Sequence, residues 1–557
     1  MAADGMFMGD SRADEVLRVQ GELEAQRGTW EGHWSEIAER VLPRMDAFHG
    51  PRTPGEKHQE RIFDSTAPLA LERFAAAMES YLTPRTQMWH RLRPADDDLA
   101  DDQDVREYLD EVTHRLFAAR YAPRANFASQ TYEVYLSLGA FGTGAVFTDD
   151  AIGYGLRYKS IALGGLYIAE NAVGAVDYVH RKYKLTARAA LQQFANDSLP
   201  PKIREAAEKK PFQEFEFIHC VKPNPDRKAG RGDYRGMQWS SYHVSIEGRA
   251  IVRESGYRTM PYAVSRYVTG PCETYGRSPA MTVLPDIKMI NEMSKTVLRA
   301  GQKAVDPPLL LADDGLLSAF SLRPGALNYN AVNASGQPLV QALESRSRMD
   351  IGEALLEDRR RSINDAFLIT LFQILIETPR MTATEAMLRA QEKGALLAPT
   401  MGRQQSELLG PLIEREIDIL ANAGQLPDMP DALVERGGTF AIVYDSPLTR
   451  VQRAEEGVGI LRTFESVVPL AQIEPAALDV FKIDDIVRTL ADINGVEAKN
   501  MWSKEQMVVK KAEKAQQQQA AALLEAAPVL GKTAKDLAQA EAAAASAPRR
   551  SIPGATL

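Results

Sequence analysis

Residues 273–315, ETYGRSPAMTVLPDIKMINEMSKTVLRAGQKAVDPPLLLADDG, hold a Gly/Pro-rich approach, one helix and a hard stop at Asp306-Pro307-Pro308. Ile287, Ile290, Met293, Val297 and Leu298 recur at three- and four-residue intervals, while Lys288, Glu292 and Lys295 mark a wet face, which predicts an amphipathic helix. Each proline disfavours helix at the residue before it, so the exit is fixed. LLLADDG and RPGALNYNAV then read as short strands, with an Asp-Gly turn at Asp314-Gly315. A second long helix is expected from near Ser345. Helix, small β insert and returning helix form a hairpin that projects a compact tip from a larger body.

Working outward, the 557 residues are 45% hydrophobic and 25% charged, ordinary for a globular chain of two to four domains. The apolar run LITLFQILI at 368–376 falls far short of the roughly 20 residues a membrane span needs, so no membrane partner is expected. MAADGMFMGDSRADE lacks the basic and apolar regions of a cleaved signal. Cys220 and Cys272 fit no metal motif and read as two reduced, buried thiols. A net charge of −9 argues against a protein that grips nucleic acid through bulk positive charge, but leaves DNA as a transient passenger.

Upstream, 11–43 predicts a helix ended by Pro43, and Ser65 or Thr66 caps another that ends at Thr83-Pro84. Residues 101–147 predict two helices, the second closing on the Gly-rich turn of GAFGTGAVF into a strand. From 150 to 270, alternating segments such as GLRYKSIA, AVDYVHRKY, FEFIHCVK, MQWSSYHVSI and PYAVSRYV predict a β-rich body with one helix near 186–196, so the first half is α+β. Downstream, Arg346–Ile376 predicts a helix of roughly 46 Å carrying Ile351, Leu355, Arg359, Ile363, Phe367 and Leu371. Its waist EDRRRSIND, with Glu357 and Arg361 four apart, suits either solvent or packing against identical neighbours. Thr378-Pro379-Arg380-Met381 breaks that helix, and the capping box Thr382–Glu385 starts another. That one continues, after a kink near Pro399, through ELLGPLIEREIDIL with Leu409, Leu412, Ile413, Ile417 and Leu420 on one side. A strand at FAIVYDSP and helices over 450–500 precede an Ala-rich tail from 503, which is helical only if something packs it.

Motifs for chemistry are scarce. No G-x-x-x-x-G-K-[ST], G-x-S-x-G or H-E-x-x-H occurs. The eight histidines, His33, His49, His58, His90, His114, His180, His219 and His243, are scattered and unpaired at ligand spacing. The acidic groups Asp96-Asp97-Asp98, Asp101-Asp102 and Asp313-Asp314 are either Mg²⁺ ligands or solvated turns. No catalytic residue, metal site or cofactor is assigned.

The order of RIFDSTAPLALERFAAAMESYLTP, Trp89 in QMWHRLRP, FGTG, ETYGRSPAMTVLPDIKMINEM, DPPLLLADDG, RPGAL, PRMTATEAMLRAQE and ELLGPLIEREIDIL resembles the portal, or head-to-tail connector, proteins of short-tailed bacteriophages over about residues 10–490. The resemblance implies a ring, usually of twelve subunits, at one capsid vertex, with double-stranded DNA entering and leaving through its axis. It divides the chain into an α/β wing (1–280), first stem helix (281–305), β-containing clip (306–344), second stem helix (345–377), channel loop (378–382), wing and crown helices (383–500), and a C-terminal helical barrel or unpacked tail (501–557). Thr378, Pro379, Arg380, Met381 and Thr382 would line the channel, and Asp313, Asp314, Arg323 and Asn328 would dock partners. Those partners would be identical subunits, a terminase motor that supplies ATP hydrolysis, a tail adaptor, the major capsid protein, and scaffolding or internal core proteins. The ring would be built in the bacterial cytoplasm and end in the virion. Twelve chains at −9 each carry a formal −108, which repels a duplex. Arg380 would touch passing phosphates or bond a neighbour's acid. Two other readings stand beside this one: a Mg²⁺-dependent DNA-processing enzyme using Asp313 and Asp314, and a virion protein without a channel.

Overall fold

The protein is described here by a computed structural model covering residues 11–45, 48, 55, 60, 62–311, 321–343, 349–370, 399–445, 457–469 and 480–518, less positions 101, 152–154, 229, 322, 330, 333–334, 468, 494–495 and 497. In chain order its elements are α1 (Ser11–Val41), α2 (Thr66–Leu82), β1 (His90–Pro94), α3 (Gln103–Arg120), α4 (Phe127–Phe141), β2 (Thr143–Ala151), β3 (Gly155–Ile161), β4 (Leu166–Glu170), β5 (Val176–Thr186), α5 (Ala187–Gln193), α6 (Pro201–Lys209) and β6 (Glu214–Pro223). There follow β7 (Trp239–Ser245), β8 (Ala250–Tyr257), β9 (Tyr262–Arg266), α7 (Pro279–Thr282), α8 (Leu284–Val305), β10 (Leu309–Leu311), β11 (Val340–Ala342), α9 (Met349–Ala366), α10 (Gly410–Asn422), α11 (Asp431–Glu435), β12 (Phe440–Tyr444) and α12 (Ile483–Ile493). The fold class is α+β, as the sequence indicates. Two units divide the chain: Met1–Arg91, Val112–Pro427 and Ile442–Leu478, and Leu92–Glu111, Asp428–Ala441 and Asp479–Leu557.

In the first unit, an antiparallel five-stranded sheet runs in the order β4-β5-β6-β7-β8. Alternation along β6 splits its side chains between two cores. Phe215 and Phe217 pack with Ala187 and Ala190 of α5 and Ile203 of α6, while Ile218 and Cys220 pack with Ala13 and Val16 of α1. A second sheet, β3-β2-β9, is antiparallel throughout. The Gly-rich turn forms as expected: Gly142 caps α4 with a φ of 77°. A Cβ there would stand 2.3 Å from the Gly276 carbonyl, and one at Gly276 would stand 2.1 Å from the Gly142 carbonyl. Two distant segments, FGTG and ETYG, therefore cross backbone on backbone, which only glycine permits.

Two buried arginines brace this body. Arg27, in α1, donates to the carbonyls of Leu163, Gly164 and Leu166 at 2.7–3.0 Å and stacks over Tyr167. Arg120, at the end of α3, pairs with Glu416 of α10 at 2.5 Å, both side chains fully buried, and Tyr158 of β3 donates to the same carboxylate at 2.7 Å. Burial by itself would lower the Arg120 pKa, but Glu416 outweighs it and raises it further.

Several expectations need correction. The segment 150–270 also holds α6, β4 and β8, because short polar stretches join a sheet whose cores the neighbours fill. Cys220 is buried but Cys272 is exposed, in a left-handed turn at φ 62°. The returning helix is interrupted after Ala366, where Leu368 turns left-handed (φ 59°) before helix resumes at Ile369 and Thr370, and Thr370 Oγ1 bonds Asp365 Oδ1. That turn lets Phe367 and Ile369 both be buried, whereas a straight helix would aim residues two apart at nearly opposite faces. Within α9 it is Leu356 that is buried, with Leu355 48% exposed, and Glu357 pairs with Arg360 in place of Arg361. Leu371 and 378–385 lie outside the described residues. On α10, Ile417 is only partly buried while Ile419 is buried, as are the charged Arg415 and Glu416. β10 pairs with β11, and RPGAL is a turn at Gly325 (φ 77°), so no RPGAL strand follows LLL; the Asp-Gly turn lies outside the described residues.

The histidines are not all solitary. β6 and β7 are registered so that His219 faces His243, their rings stacked at 4.0 Å, and His180 faces Cys220 on β5–β6. His219 Nδ1 meets Tyr262 Oη at 2.6 Å and its Nε2 meets Ser241 Oγ at 2.9 Å, while His180 Nδ1 donates to Gln20 at 3.0 Å. Burial, with Lys222 nearby, pushes His180 down to about 3; burial, with Arg253 and Arg181, does the same to His243. His219 lies well below its ordinary value, from burial and the neighbouring His243.

In the second unit, Gln103 Nε2 donates to the carbonyls of Ala498 and Met501 at 2.8 and 3.2 Å, and Asp110 accepts from the Ala498 amide. Arg436 pairs with Asp96 at 2.7 Å, and Asp102 accepts from the amides of Asp104 and Val105 at the start of α3. Those carboxylates take the solvated-turn and capping roles. Residues 504–518 are helical.

Two outcomes test this core. Glu416→Gln leaves the Arg120 charge buried without its partner and costs about 3–5 kcal/mol in chemical denaturation, much of which Arg120→Met with Glu416→Leu restores. The buried histidines stay neutral in the folded chain but take up protons in the unfolded chain below about pH 6.5, so stability falls as pH drops from 7 toward 5. For His180 and His243, each held at about 3, the loss is about 2 kcal/mol apiece by pH 5, and His243→Phe reduces the measured fall in stability between pH 7 and pH 5 by about that amount.

Candidate assembly surface on the helix pair

Ser278 opens the hairpin by capping α7: its Oγ accepts from the Met281 amide at 3.0 Å and donates to the Ala140 carbonyl at 2.8 Å. α8 then runs to Val305, and Asp306 is its C-cap, as the two prolines dictate. Only the first half of its apolar stripe is buried. Leu284, Ile287 and Ile290 are inside, Met293 and Val297 are half-buried, and Leu298 and Val305 are 56% and 89% exposed. α9 packs antiparallel beside α8 at Gly352, where a Cβ would come 3.2 Å from Val297.

Polar contacts at the foot of the pair fix its position. Asn291 of α8 accepts from the amides of Phe63 and Asp64 at 2.8 and 3.1 Å and donates to the Ile287 carbonyl. Asp64 accepts from the Thr66 amide at 2.9 Å and from Arg360 of α9 at 2.9 Å. Burial works to raise the Asp64 pKa, but the bonds from Thr66 and Arg360 prevail and lower it. Arg359 reaches Asp286 at 2.9 Å. The charged waist of α9 is thus spent on α8 and on the segment before α2. Ser65, one of the two residues expected to cap α2, makes no side-chain cap bond: the N3 position is Pro68, which has no N–H, and the Thr66 amide is held by the Asp64 carboxylate.

Beside these contacts lies a groove of about 710 Å³ lined by Phe63, Val297, Leu298, Ala354 and Leu356, with Glu353, Glu357 and Arg360 also in its wall. Lys295 lies over the Phe63 ring at 5.3 Å. Half apolar, half charged and open to solvent, this surface lacks the enclosed polar cluster a catalytic site needs. Among the described residues, no group of three or more His, Cys, Asp or Glu could hold a metal ion.

Of the residues singled out from sequence, Thr378, Pro379, Arg380, Met381, Thr382, Asp313 and Asp314 lie outside the described residues. Arg323 is exposed at the turn whose Ala326 amide bonds its carbonyl at 3.0 Å. Asn328 is partly buried and braces its loop, accepting from the Ser321 N–H at 2.8 Å and donating to the Ser321 carbonyl at 2.9 Å. Sequence reasoning passed over Leu327 and Tyr329, which are 81% and 75% exposed; two large apolar side chains beside a Pro-Gly turn were the available signal.

Residues 13–501 match the family model described as bacteriophage head to tail connecting protein. The chain belongs to that family. It is 29% identical over 511 residues to the probable portal protein of Bordetella phage BPP-1, covering 90% of each chain. It is 26% identical over 517 residues to the portal protein of Salmonella phage epsilon15, covering 91% of this chain and 92% of that one. Among solved structures, a chain from the neck of an empty GTA particle, computed with C6 symmetry, aligns with a TM-score of 0.36 at 13% identity, over 78% of this chain and 99% of that one.

The capping geometry separates two neighbouring residues. Asp64→Ala removes an amide cap and the Arg360 contact and costs about 2 kcal/mol, whereas Ser65→Ala costs less than about 0.5 kcal/mol; paired denaturation curves measure both.

Proposed function

We propose that the protein is a portal protomer: twelve copies form a ring at one capsid vertex, double-stranded DNA is packaged and ejected along its axis, and terminase and a tail adaptor dock on it. In this reading α8 and α9 are the stem, 306–344 the clip and 378–382 the channel loop, with Arg380 facing DNA or a neighbour's carboxylate. The mature protein resides in the virion after assembly in the bacterial cytoplasm.

The observation that carries this is the helix pair within a family match spanning 13–501. Its base is fixed by Asp64, Asn291 and Arg360, yet Leu298, Val305 and Leu355 stay exposed along it. Burying such side chains contributes roughly 1.5–3 kcal/mol each, and copies related by a ring axis offer every one the same neighbour. Among the described residues no helix is long and apolar enough to cross a membrane. The role is structural, and hydrolysis belongs to the motor.

Negative-stain images and native mass of the purified chain test the reading. Twelvefold rings with a central hole are expected, and Leu298→Asp with Leu355→Asp shifts the population toward monomer with the fold intact by circular dichroism. A wild-type chain that stays monomeric, or that builds shells, refutes it.

A further inference from the structure

We propose that the loop joining β6 to β7, residues 224–238, is a DNA-contacting surface that binds the phosphate backbone of a duplex, separate in sequence from 378–382. The chain as a whole carries −9, yet Lys222, Arg227, Lys228, Arg231 and Arg235 face only Asp226 and Asp233 within 222–236. Their partners decide which charges remain available. Lys222 pairs with Glu15 at 3.0 Å and Arg231 with Asp233 at 2.6 Å. Arg235 Nε donates to Tyr234 Oη at 3.2 Å, and the two carboxylates that influence it are both engaged elsewhere, Asp233 by Arg231 and Glu254 by Arg12 at 2.7 Å. Among the described residues, no carboxylate lies within 4.0 Å of Arg227, Lys228 or Arg235, and all three are exposed.

The loop holds these cations in place. The Lys228 amide bonds the Arg235 carbonyl at 3.0 Å, Arg227 Nε donates to the Gly236 carbonyl at 3.3 Å, and the Asn224 amide bonds the Gln238 carbonyl at 2.9 Å. Gly236 packs so closely that a Cβ would stand 2.0 Å from the Arg231 carbonyl. Arg235 also lies over the Tyr234 ring at 5.6 Å. Three like charges are thus gathered on one ordered neck, an arrangement that an anion relieves. The occupant is a phosphate backbone and not a protein face, because 224–238 has no large exposed apolar side chain among its described residues. Protein interfaces need an apolar centre, whereas phosphates are held by charge.

This inference rests on the portal reading for the presence of DNA, and the two fail separately. Full-length protein is titrated with a fluorescein-labelled duplex at 50–200 mM salt, with rings counted in parallel by negative stain. In Arg227→Ala/Lys228→Ala/Arg235→Ala, the slope of log K on log salt falls by about 0.9 per lost phosphate contact, so the wild type loses about 40-fold more affinity than the variant across that range. Arg227→Lys/Arg235→Lys keeps the charges and restores the slope. No wild-type binding, or an unchanged slope in the triple alanine variant, overturns the proposal. So does loss of ring formation without change in DNA affinity, which makes the loop a contact between subunits. Monomers from the wild type refute the portal reading whatever the titration gives.

Discussion

The buried pair of Arg120 and Glu416 ties the end of α3 to α10 and, through the Tyr158 hydroxyl, to β3. Two ions without water are costly, so the arrangement persists only because nearly every valence is met. Glu416 accepts from Arg120 Nε and Nη2 and from Tyr158, and the guanidinium lies over Trp89 at 4.5 Å and Phe117 at 5.0 Å. Among the described residues, Arg120 Nη1 has no hydrogen-bond partner, nor does either nitrogen of buried His90, whose pKa burial and Arg120 hold well below its ordinary range. A site this exacting admits one relative placement of helix and sheet. The neighbouring contacts follow the same logic: Arg266 on β9 bonds Glu407 at 2.8 Å, and Ser265 bonds Gln404 at 2.5 Å. Both acceptors sit where the helix leading into α10 widens to a π-turn over Gln405–Leu409.

With that frame fixed, the crossing of Gly142 and Gly276 brings the approach to α7 and α8 against the end of α4. The hairpin therefore leaves the body from a rigid base. Its two helices are clamped at one end by Asp64, Asn291 and Arg360, beside a groove that leaves Leu298 exposed. A fixed foot with an unfilled apolar flank suits an element that completes itself against a copy, and it explains why the charged waist of α9 is largely used internally.

Much of the architecture was legible in residues. The stripe from Ile287, the stop at Pro307-Pro308, the Gly-rich turn at 142 and the alternation of β6 each follow from local sterics or period, which neighbouring residues alone specify. The capping of α2 was half legible: its start was clear, but Asp64 and not Ser65 supplies the oxygen, since side-chain reach depends on the turn before the helix. The channel and tip residues 378–382, 313 and 314 lie outside the described residues, and the bonds of Asn328 to Ser321 depend on a loop closure that spacing does not show.

Sequence by itself determined the α+β class, the helical hairpin and the family, because these rest on periodicity, breakers and the order of motifs. Tertiary structure alone decided which charges are buried. Arg27, Arg120 and Glu416 look like ordinary polar positions on helices, and His219 and His243 are 24 residues apart in sequence; what places them inside is strand register and helix crossing. It also decided where the returning helix breaks, at a left-handed Leu368 between the buried Phe367 and Ile369. Pairing across distance cannot be read from spacing along the chain, because each partner's cost or gain exists only once the other has been brought to it.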